Sequence, residues 1–416
     1  VSQDTTTTTV TTSAPSTVFG QTVTLSATVS PTTLIPPPFG GLGCKRPGGC
    51  DILLTPAVAP TGTVTFYDGT TVLGKAALPA NTVSPGGSGG PVTVAFTTDA
   101  LAVGDHPDIT ASYGGDANYA SSDSTASPVD VSVGKAQTTS TLTSSTGGAS
   151  VSGQPVSLTD TIAVTAPGTT DAADPTGSVT FVALDPSGNT LGTAGSEPVS
   201  TTDGVTSATL TTSTLPTGTA SVSATYAGDA SFAGSAQATA QVVTQAATTT
   251  ALTSSINPSV FGQTVTYTAT VTVNIPGTTA VSPPTGTVTF SDGTTVLGTG
   301  TLSTDPTTGV TTAAFTTFAL IAGTHPITAS YAGDTNYLKS DSTNDPLTQT
   351  VNQAATTTTL TSTAASATYP ASITITATIA VVAPGTTQAG SPTGSVTFSV
   401  TDAANGSTPT PRTATA

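Results

Sequence analysis

From Val265 to Val273 the chain alternates without a break. Val265, Tyr267, Ala269, Val271 and Val273 take every second position, and threonines fill the positions between. A period of two sends alternate side chains to opposite faces, so the stretch is expected to be a β-strand with one buried face. Val23–Val29 (VTLSATV) carries the same pattern. Around Val265–Val273 the chain breaks into further short strands. ATTTALTS (Ala247–Ser254) opens the set and NPSVFGQ (Asn257–Gln263) turns it. Val288 and Phe290 point inward from a later strand, and Asp292-Gly293 marks a hairpin, because Gly accepts the positive φ such turns need. Val296 and Leu297 begin the return; VTTAAF (Val310–Phe315), ITASYAGD (Ile327–Asp334) and LTQTV (Leu347–Val351) complete the set. Roughly seven short strands with turn signals between them predict an antiparallel β-sandwich. No segment sustains apolar residues at helical spacing, and Pro and Gly punctuate too often for an ordinary helix.

The same pattern recurs along the chain. PTGTVTFSDGTTVLG (Pro284–Gly298) nearly repeats PTGTVTFYDGTTVLG (Pro60–Gly74). A looser copy is PTGSVTFVALDPSGNTLG (Pro175–Gly192), and PTGSVTFSV (Pro392–Val400) is cut short. The starts lie 115 (175−60), 109 (284−175) and 108 (392−284) residues apart. A fixed period of this size means an array of similar domains. The junctions recur too, as VTQAATTTAL (Val243–Leu252), VNQAATTTTL (Val351–Leu360) and the divergent VGKAQTTSTL (Val133–Leu142). We therefore divide the chain into repeat 1 (1–133, with an insertion at 34–59), repeat 2 (134–244), repeat 3 (245–352) and a partial repeat 4 (353–416). The expected architecture is all-β: tandem antiparallel Ig-like sandwiches in an extended rod, the fourth incomplete. Each full repeat is long enough to bury its own core. Both ends fall mid-pattern, so the chain reads as a window cut from a longer array. Completion of repeat 4 by strands of a neighbouring molecule is the less favoured explanation of its shortness.

Composition narrows the function classes. Only 7% of residues are charged, against about 25% in an average globular domain. The net charge is −16, and Lys45, Arg46, Lys75, Lys135, Lys339 and Arg412 are the whole cationic complement. So few cations cannot neutralise a row of phosphates or grip an anionic membrane, which argues against nucleic-acid and lipid-surface partners. No apolar run is long enough to span a bilayer, so no membrane insertion is expected in this segment. Threonine is expected to carry the surface that Lys and Glu usually carry, since its branched Cβ suits a strand and its hydroxyl keeps it wet. Dense Thr, Ser and Pro is also a candidate O-glycan surface.

PTGTVTF…DGTTVLG followed by GTHPITASYAGDTNY (Gly323–Tyr337) resembles the bacterial Ig-like repeat family of large secreted and cell-surface proteins. GDHPDITASYGGDANY (Gly104–Tyr119) and GTASVSATYAGDASF (Gly218–Phe232) are the matching stretches. The resemblance covers essentially the whole chain. It implies an Ig-like sandwich and an extracellular setting, and it brings no catalytic residues with it. Members of the family act as spacers, stalks, adhesins and surface fibres. The departures lie in repeat 1, where LIPPPFGGLGCKRPGGCDILLTPAVA (Leu34–Ala59) replaces a short APGTT-type loop such as Ala166–Thr170, and where LPANTVSPGGSGGP (Leu78–Pro91) forms a second long loop.

Few residues are candidates for chemistry. Cys44 and Cys50 are the only cysteines, and the Pro-Gly-Gly between them reverses the chain and brings them close. A disulfide is the favoured reading, worth about 2 kcal/mol for so short a loop, with free thiols and metal ligation the weaker ones. It fits the oxidising setting that the resemblance implies. Phe39, Leu42, Ile52, Leu53 and Leu54, with Lys45 and Arg46, make this insertion a candidate contact loop, as against a loop folded back over its own domain. Asp116, Asp229 and Asp334 supply too few oxygens for Ca²⁺ and read as turn residues instead. His106 and His325 read as structural, since repeat 2 has Ala220 at that place. Glu197 has no acidic neighbour, and no phosphate loop or metalloprotease motif is present. Asn405-Gly406-Ser407 is a lone glycosylation sequon. No cofactor and no metal are expected.

The expectation is a non-enzymatic structural segment of an extracellular bacterial surface protein, a stiff stalk or a fibre-forming filament. Its expected partners are copies of itself or other surface proteins. The alternative is an adhesin that binds a glycan or host protein through loops of repeat 1.

Overall fold

A computed structural model describes residues 3–32, 58–80, 89–368, 370–400 and 412–415. The candidate disulfide Cys44–Cys50, the loop residues Phe39, Leu42, Lys45, Arg46, Ile52, Leu53 and Leu54, and the sequon at Asn405 lie outside the described residues. All regular structure among the described residues is β. Packing divides the chain into two compact units. The first comprises Val1–Gly148, Ser157–Thr211 and Ser221–Ala240; the second comprises Ala149–Val156, Thr212–Ala220 and Gln241–Ala416.

In the second unit, repeat 3 shows the plan most fully. One sheet runs Thr248–Ser254, Val265–Val273, Thr311–Thr317, Ser303–Thr304. The facing sheet runs Ser259–Val260, Leu347–Asn352, Gly323–Tyr331, Thr287–Asp292, Thr295–Thr301. The period-two pattern holds: Val265, Tyr267, Ala269 and Val271 are buried, and they meet Val288, Phe290, Ile327, Ala329 and Tyr331 from the other sheet. Val273, at the strand's end, is only partly buried. The Asp292-Gly293 hairpin forms as expected, with Gly293 at φ 56°. The short Ser259–Val260 strand pairs in parallel with the last strand, Ser259 opposite Val351.

The first unit repeats this plan. Thr6–Thr12, Val23–Pro31 and Val92–Thr98 make one sheet of repeat 1, and Ser16–Val18, Val129–Gly134, Gly104–Tyr113, Thr63–Asp68 and Thr71–Ala77 make the other. In repeat 2, Thr138–Ser144, Val156–Val164, Val205–Thr212 and Ser200–Thr202 form one sheet, and Thr190–Pro198, Ser178–Leu184, Ser221–Tyr226 and Ser235–Ala240 the other. Repeat 4 has two pairs, Thr356–Ser362 with Ile375–Val381 and Ser395–Phe398 with Arg412–Thr415. Among its described residues no third strand covers Ile375, Ile379, Val396 and Phe398, which line an open groove of about 580 Å³.

Threonine is not confined to the surface. In the opening strand of repeat 1, Thr6, Thr8 and Val10 face inward. Thr8 Oγ1 lies 2.7 Å from Ser122 Oγ, and Thr250 Oγ1 lies 2.7 Å from Ser340 Oγ at the same place in repeat 3. A hydroxyl paired with another hydroxyl loses little on burial, so the strand tolerates Thr on both faces.

Asp116, Asp229 and Asp334 close the turn after the Tyr strand. Oδ2 of Asp116 accepts from the Thr61 backbone N and Oγ1, each at 2.7 Å, and Oδ1 accepts from the N–H of Asn118 and Tyr119, each at 2.8 Å. Asp229 and Asp334 hold Thr176 and Thr285 in the same way. Burial alone would raise these carboxyls, but the donors win and hold them below the usual carboxylate range. The aromatic residue that follows, Tyr119, Phe232 or Tyr337, plugs the end of the sandwich.

Candidate functional site

Among the described residues the most elaborated sites are the places where one repeat meets the next. At each, the last strand of one repeat is held by that repeat's Gly-Gln turn: Phe19 N–H donates to Gly134 O at 2.9 Å, Ser152 N–H to Thr244 O at 2.8 Å, and Phe261 N–H to Asn352 O at 2.8 Å. One residue then follows, Lys135, Gln245 or Gln353, before the residue that opens the next repeat. That residue is alanine each time. Ala136 bridges to Phe232, and Ala246 to Tyr337. At these two joints a linker of one residue, held on both sides by backbone hydrogen bonds, has almost no conformational freedom to lose or regain.

The two repeats also touch directly. Thr169 Oγ1 donates to Gly20 O at 3.0 Å, Thr278 Oγ1 to Gly153 O at 2.6 Å, and Thr386 Oγ1 to Gly262 O at 2.7 Å. Gly20, Gly153 and Gly262 sit at φ 76°, 75° and 79°, and a Cβ on any of them would overlap the backbone of its threonine. Only glycine meets both demands, a left-handed backbone and a neighbour this close. The glycine before each threonine is equally confined. A Cβ on Gly168 would lie 2.7 Å from Ala136 Cβ and 3.2 Å from Phe19 O, and Gly277 and Gly385 have the same neighbours in Ala246 with Ser152 O and Ala354 with Phe261 O. The loops that carry these residues each contain a cis X-Pro bond, Ala166-Pro167, Ile275-Pro276 and Ala383-Pro384.

The side chains around this backbone contact vary. Phe19 meets Phe232 edge to face, with centroids 5.4 Å apart. The third joint keeps Phe, with Phe261 against Gly390. The second has Ser152 instead, and adds a bond from Thr217 Oγ1 to Asn336 Oδ1 at 2.9 Å. The joint is thus a backbone device first, with exchangeable side-chain packing.

Repeat 1 departs from it at the end that would receive a preceding repeat. Asp4 stands where repeats 2, 3 and 4 have alanine, bridging to Tyr119. The insertion stands where they have the Gly-Thr loop. In repeat 4, Pro370 takes the place of the joint glycine.

NPSVFGQ is the turn and APGTT the short loop that the sequence predicts, but their docking on one another is not expected from either alone. A signal was there: the Gly-Gln turn of each repeat is answered, one repeat later, by Pro-Gly-Thr-Thr. His106 and His325 are placed as structural residues, each with Nδ1 on a carboxylate, Asp68 at 2.7 Å and Asp292 at 2.6 Å. Asp160, which no motif marks, lies at an inward position of Val156–Val164, fully buried, where burial raises its carboxyl more than the Ser140 hydroxyl lowers it.

A profile of the family described as bacterial Ig-like domain (group 3) matches residues 50–133, 141–245 and 252–352. No curated protein matches the sequence. Among solved structures, the Escherichia coli adhesin FdeC is similar at 16% identity, over 83% of this chain and 96% of that one, with a TM-score of 0.25. A tetra-tandem repeat from the extending region of a large adhesion protein is similar at 16% identity, over 99% of this chain and 88% of that one, with a TM-score of 0.32. The mouse nectin-like molecule 4 ectodomain is similar at 12% identity, over 81% and 96%, with a TM-score of 0.23. With TM-scores this low, none of the three bears on what this chain does.

Proposed function

The chain belongs to the bacterial Ig-like domain family, group 3, and from that premise we propose that it is a non-enzymatic structural segment of an extracellular bacterial surface protein. Its work is mechanical: to hold Ig-like repeats in a stiff line, as a stalk or as the subunit of a surface fibre. The observation that supports this is the joint. Three times the chain passes between repeats through one residue, with Gly20, Gly153 and Gly262 docked on Thr169, Thr278 and Thr386. A flexible tether would need neither the left-handed glycines nor the threonine hydroxyls. Its partners are then copies of itself or other surface proteins.

Small-angle scattering on the whole chain tests the reading. The expected particle is elongated, with about 35–40 Å per repeat from strands near 3.3 Å per residue. A compact, folded-over particle overturns it.

One observation favours a second reading, an adhesin. Repeat 1 carries Asp4 and the Leu34–Ala59 insertion where the other repeats carry their docking residues, so its sequence departs from theirs at this place. A glycan or a host protein is the proposed ligand. Replacing Leu34–Ala59 by the Ala166–Thr170 loop separates the readings. An adhesin loses its ligand and keeps its scattering profile, whereas a fibre subunit loses assembly.

A further inference from the structure

Three titratable groups sit inside the matched repeats, one in each, where the fold calls for a proton. In repeat 1, Nδ1 of His106 lies 2.7 Å from Asp68 Oδ2, and its Nε2 lies 2.9 Å from the Ala102 carbonyl. In repeat 3, Nδ1 of His325 lies 2.6 Å from Asp292 Oδ2 and Nε2 lies 2.9 Å from the Ile321 carbonyl. A neutral imidazole has one N–H to give. Two acceptors, one of them a carboxylate, are both satisfied only by the imidazolium. The other charged group near His106 is Asp105 on its own strand, also an acid. Asp292 is the charged group that faces His325.

Repeat 2 exchanges both partners together. Ala183 and Ala220 occupy the positions of the Asp and the His. The pair therefore behaves as one unit, present or absent as a whole. In its place repeat 2 buries Asp160, where repeats 1 and 3 have Ala27 and Ala269. Asp160 is 0% exposed. Its Oδ2 accepts from Ser140 Oγ at 3.0 Å, its Oδ1 has no hydrogen-bond partner, and Ser140 in turn touches only another hydroxyl, Ser235 Oγ at 2.9 Å. No cation faces it. An ionised carboxylate in such a place is heavily penalised, and the protonated acid is the form that fits.

We propose that repeats 1, 2 and 3 each hold one proton as part of the fold, at His106, Asp160 and His325, so that the array is tightest in mildly acidic surroundings and loosens toward alkaline pH. The directions agree. Burial pulls both histidines down, but the carbonyl and the carboxylate more than reverse it, and the net is a rise above 6.5. Their stabilisation is full below about 6.5 and is lost as pH climbs through the folded value. Burial lifts Asp160 above 3.8, so its penalty grows as pH climbs through its own folded value. The opposite limit comes from Asp116, Asp229 and Asp334, held below 3.8, whose contribution is lost only in stronger acid.

Peptide-resolved hydrogen exchange on the whole chain at pH 4, pH 5 and pH 8, corrected for intrinsic rates, is the test. Core peptides of repeats 1 and 3 are expected to open less at pH 5, roughly tenfold for each pKa unit separating folded and unfolded states, and those of repeat 2 are expected to open least at pH 4, because the loss at Asp160 begins above 3.8. Asp160→Ala, the residue repeats 1 and 3 already use, is expected to abolish the pH dependence of repeat 2 alone and to raise its protection at pH 8. The double change Asp68→Ala and His106→Ala, which copies repeat 2, is expected to flatten repeat 1 alone. Should that double variant not fold, the imidazole signals of the unaltered chain decide by NMR: titration above 6.5 supports the proposal. Equal or greater protection at pH 8, no gain from Asp160→Ala at pH 8, or histidines titrating below 6.5 would each overturn it.

Discussion

Thr169 donates its hydroxyl to the carbonyl of Gly20 across the boundary between repeats 1 and 2, at 3.0 Å. Gly20 has φ 76° and no room for a Cβ on that side. Gly20→Val therefore sets a strained backbone, costing about 1–2 kcal/mol, against a steric overlap that separation of the two repeats relieves. The expected result is an opened joint between repeats that stay folded. Lys135, the single linking residue, supplies the readout, because trypsin cuts only chain it can extend. Cleavage after Lys135 should be slow in the parent chain and many times faster in Gly20→Val, with the circular dichroism of the two unchanged. Equal cleavage rates would mean that the glycine does not hold the joint.

Asp334 receives two backbone N–H groups of its own turn and both donors of Thr285. Asp334→Ala leaves those N–H groups without acceptors, and each orphaned donor costs about 1–3 kcal/mol where water cannot reach it. Part of that is returned here because the turn is only half-buried. Thermal unfolding should show repeat 3 destabilised by a few kcal/mol at pH 7, and the difference from the parent chain should shrink as pH falls below 3.8, where the carboxylates protonate.

Phe290 and Phe315 stack with centroids 5.7 Å apart, and Phe315 lies on the bare face of Gly298. The two rings are not equivalent. Phe290 is fully buried and Phe315 only partly. Phe290→Ala is expected to cost about 3–5 kcal/mol by transfer and cavity together. Phe315→Leu is expected to cost under about 1.5 kcal/mol, because repeat 2 already places Leu210 over Gly195 in the same way. Chemical denaturation of the two variants would check the order.

Replacing the Thr278 hydroxyl removes one bond across the joint, to Gly153 O at 2.6 Å, and one within its own loop, from the Ala280 N–H at 3.2 Å, and leaves the backbone contact. Thr278→Val should therefore weaken the second joint by only about 0.5–1.5 kcal/mol. Proteolysis near Gln245 should rise less than Gly153→Val makes it rise. If the two variants behaved alike, the hydroxyl rather than the fit of the glycine would be the main contributor.

Much of the fold was legible because strand periodicity is a local signal. Val265, Tyr267, Ala269 and Val271 announce their buried face in their own spacing, and the Asp-Gly dipeptides announce their hairpins. The inward Thr8 and Thr250 were not legible, since Thr fits either face of a strand and only the partner serine, some 90 to 114 residues away, decides which. The joints were hidden for a similar reason. Each half lies in a different repeat, and neither Phe-Gly-Gln nor Pro-Gly-Thr-Thr says by itself what it touches. Asp160 stood in plain view at an alternating position, but a single acid among hydroxyls reads as a surface residue until its neighbours are placed.

The parallel pairing of the early and last strands has a consequence under load. Ser16–Val18 lies beside Val129–Gly134, Ala149–Val151 beside Val242–Thr244, and Ser259–Val260 beside Leu347–Asn352, all in parallel register. The early strand lies near the start of its repeat and the late strand at its end. Tension along the chain pulls the two in opposite directions along their length. Their hydrogen bonds then bear the force together, in shear, instead of parting one at a time like a zipper. A repeat drawn taut should yield abruptly and at high force, and until it yields it should barely lengthen.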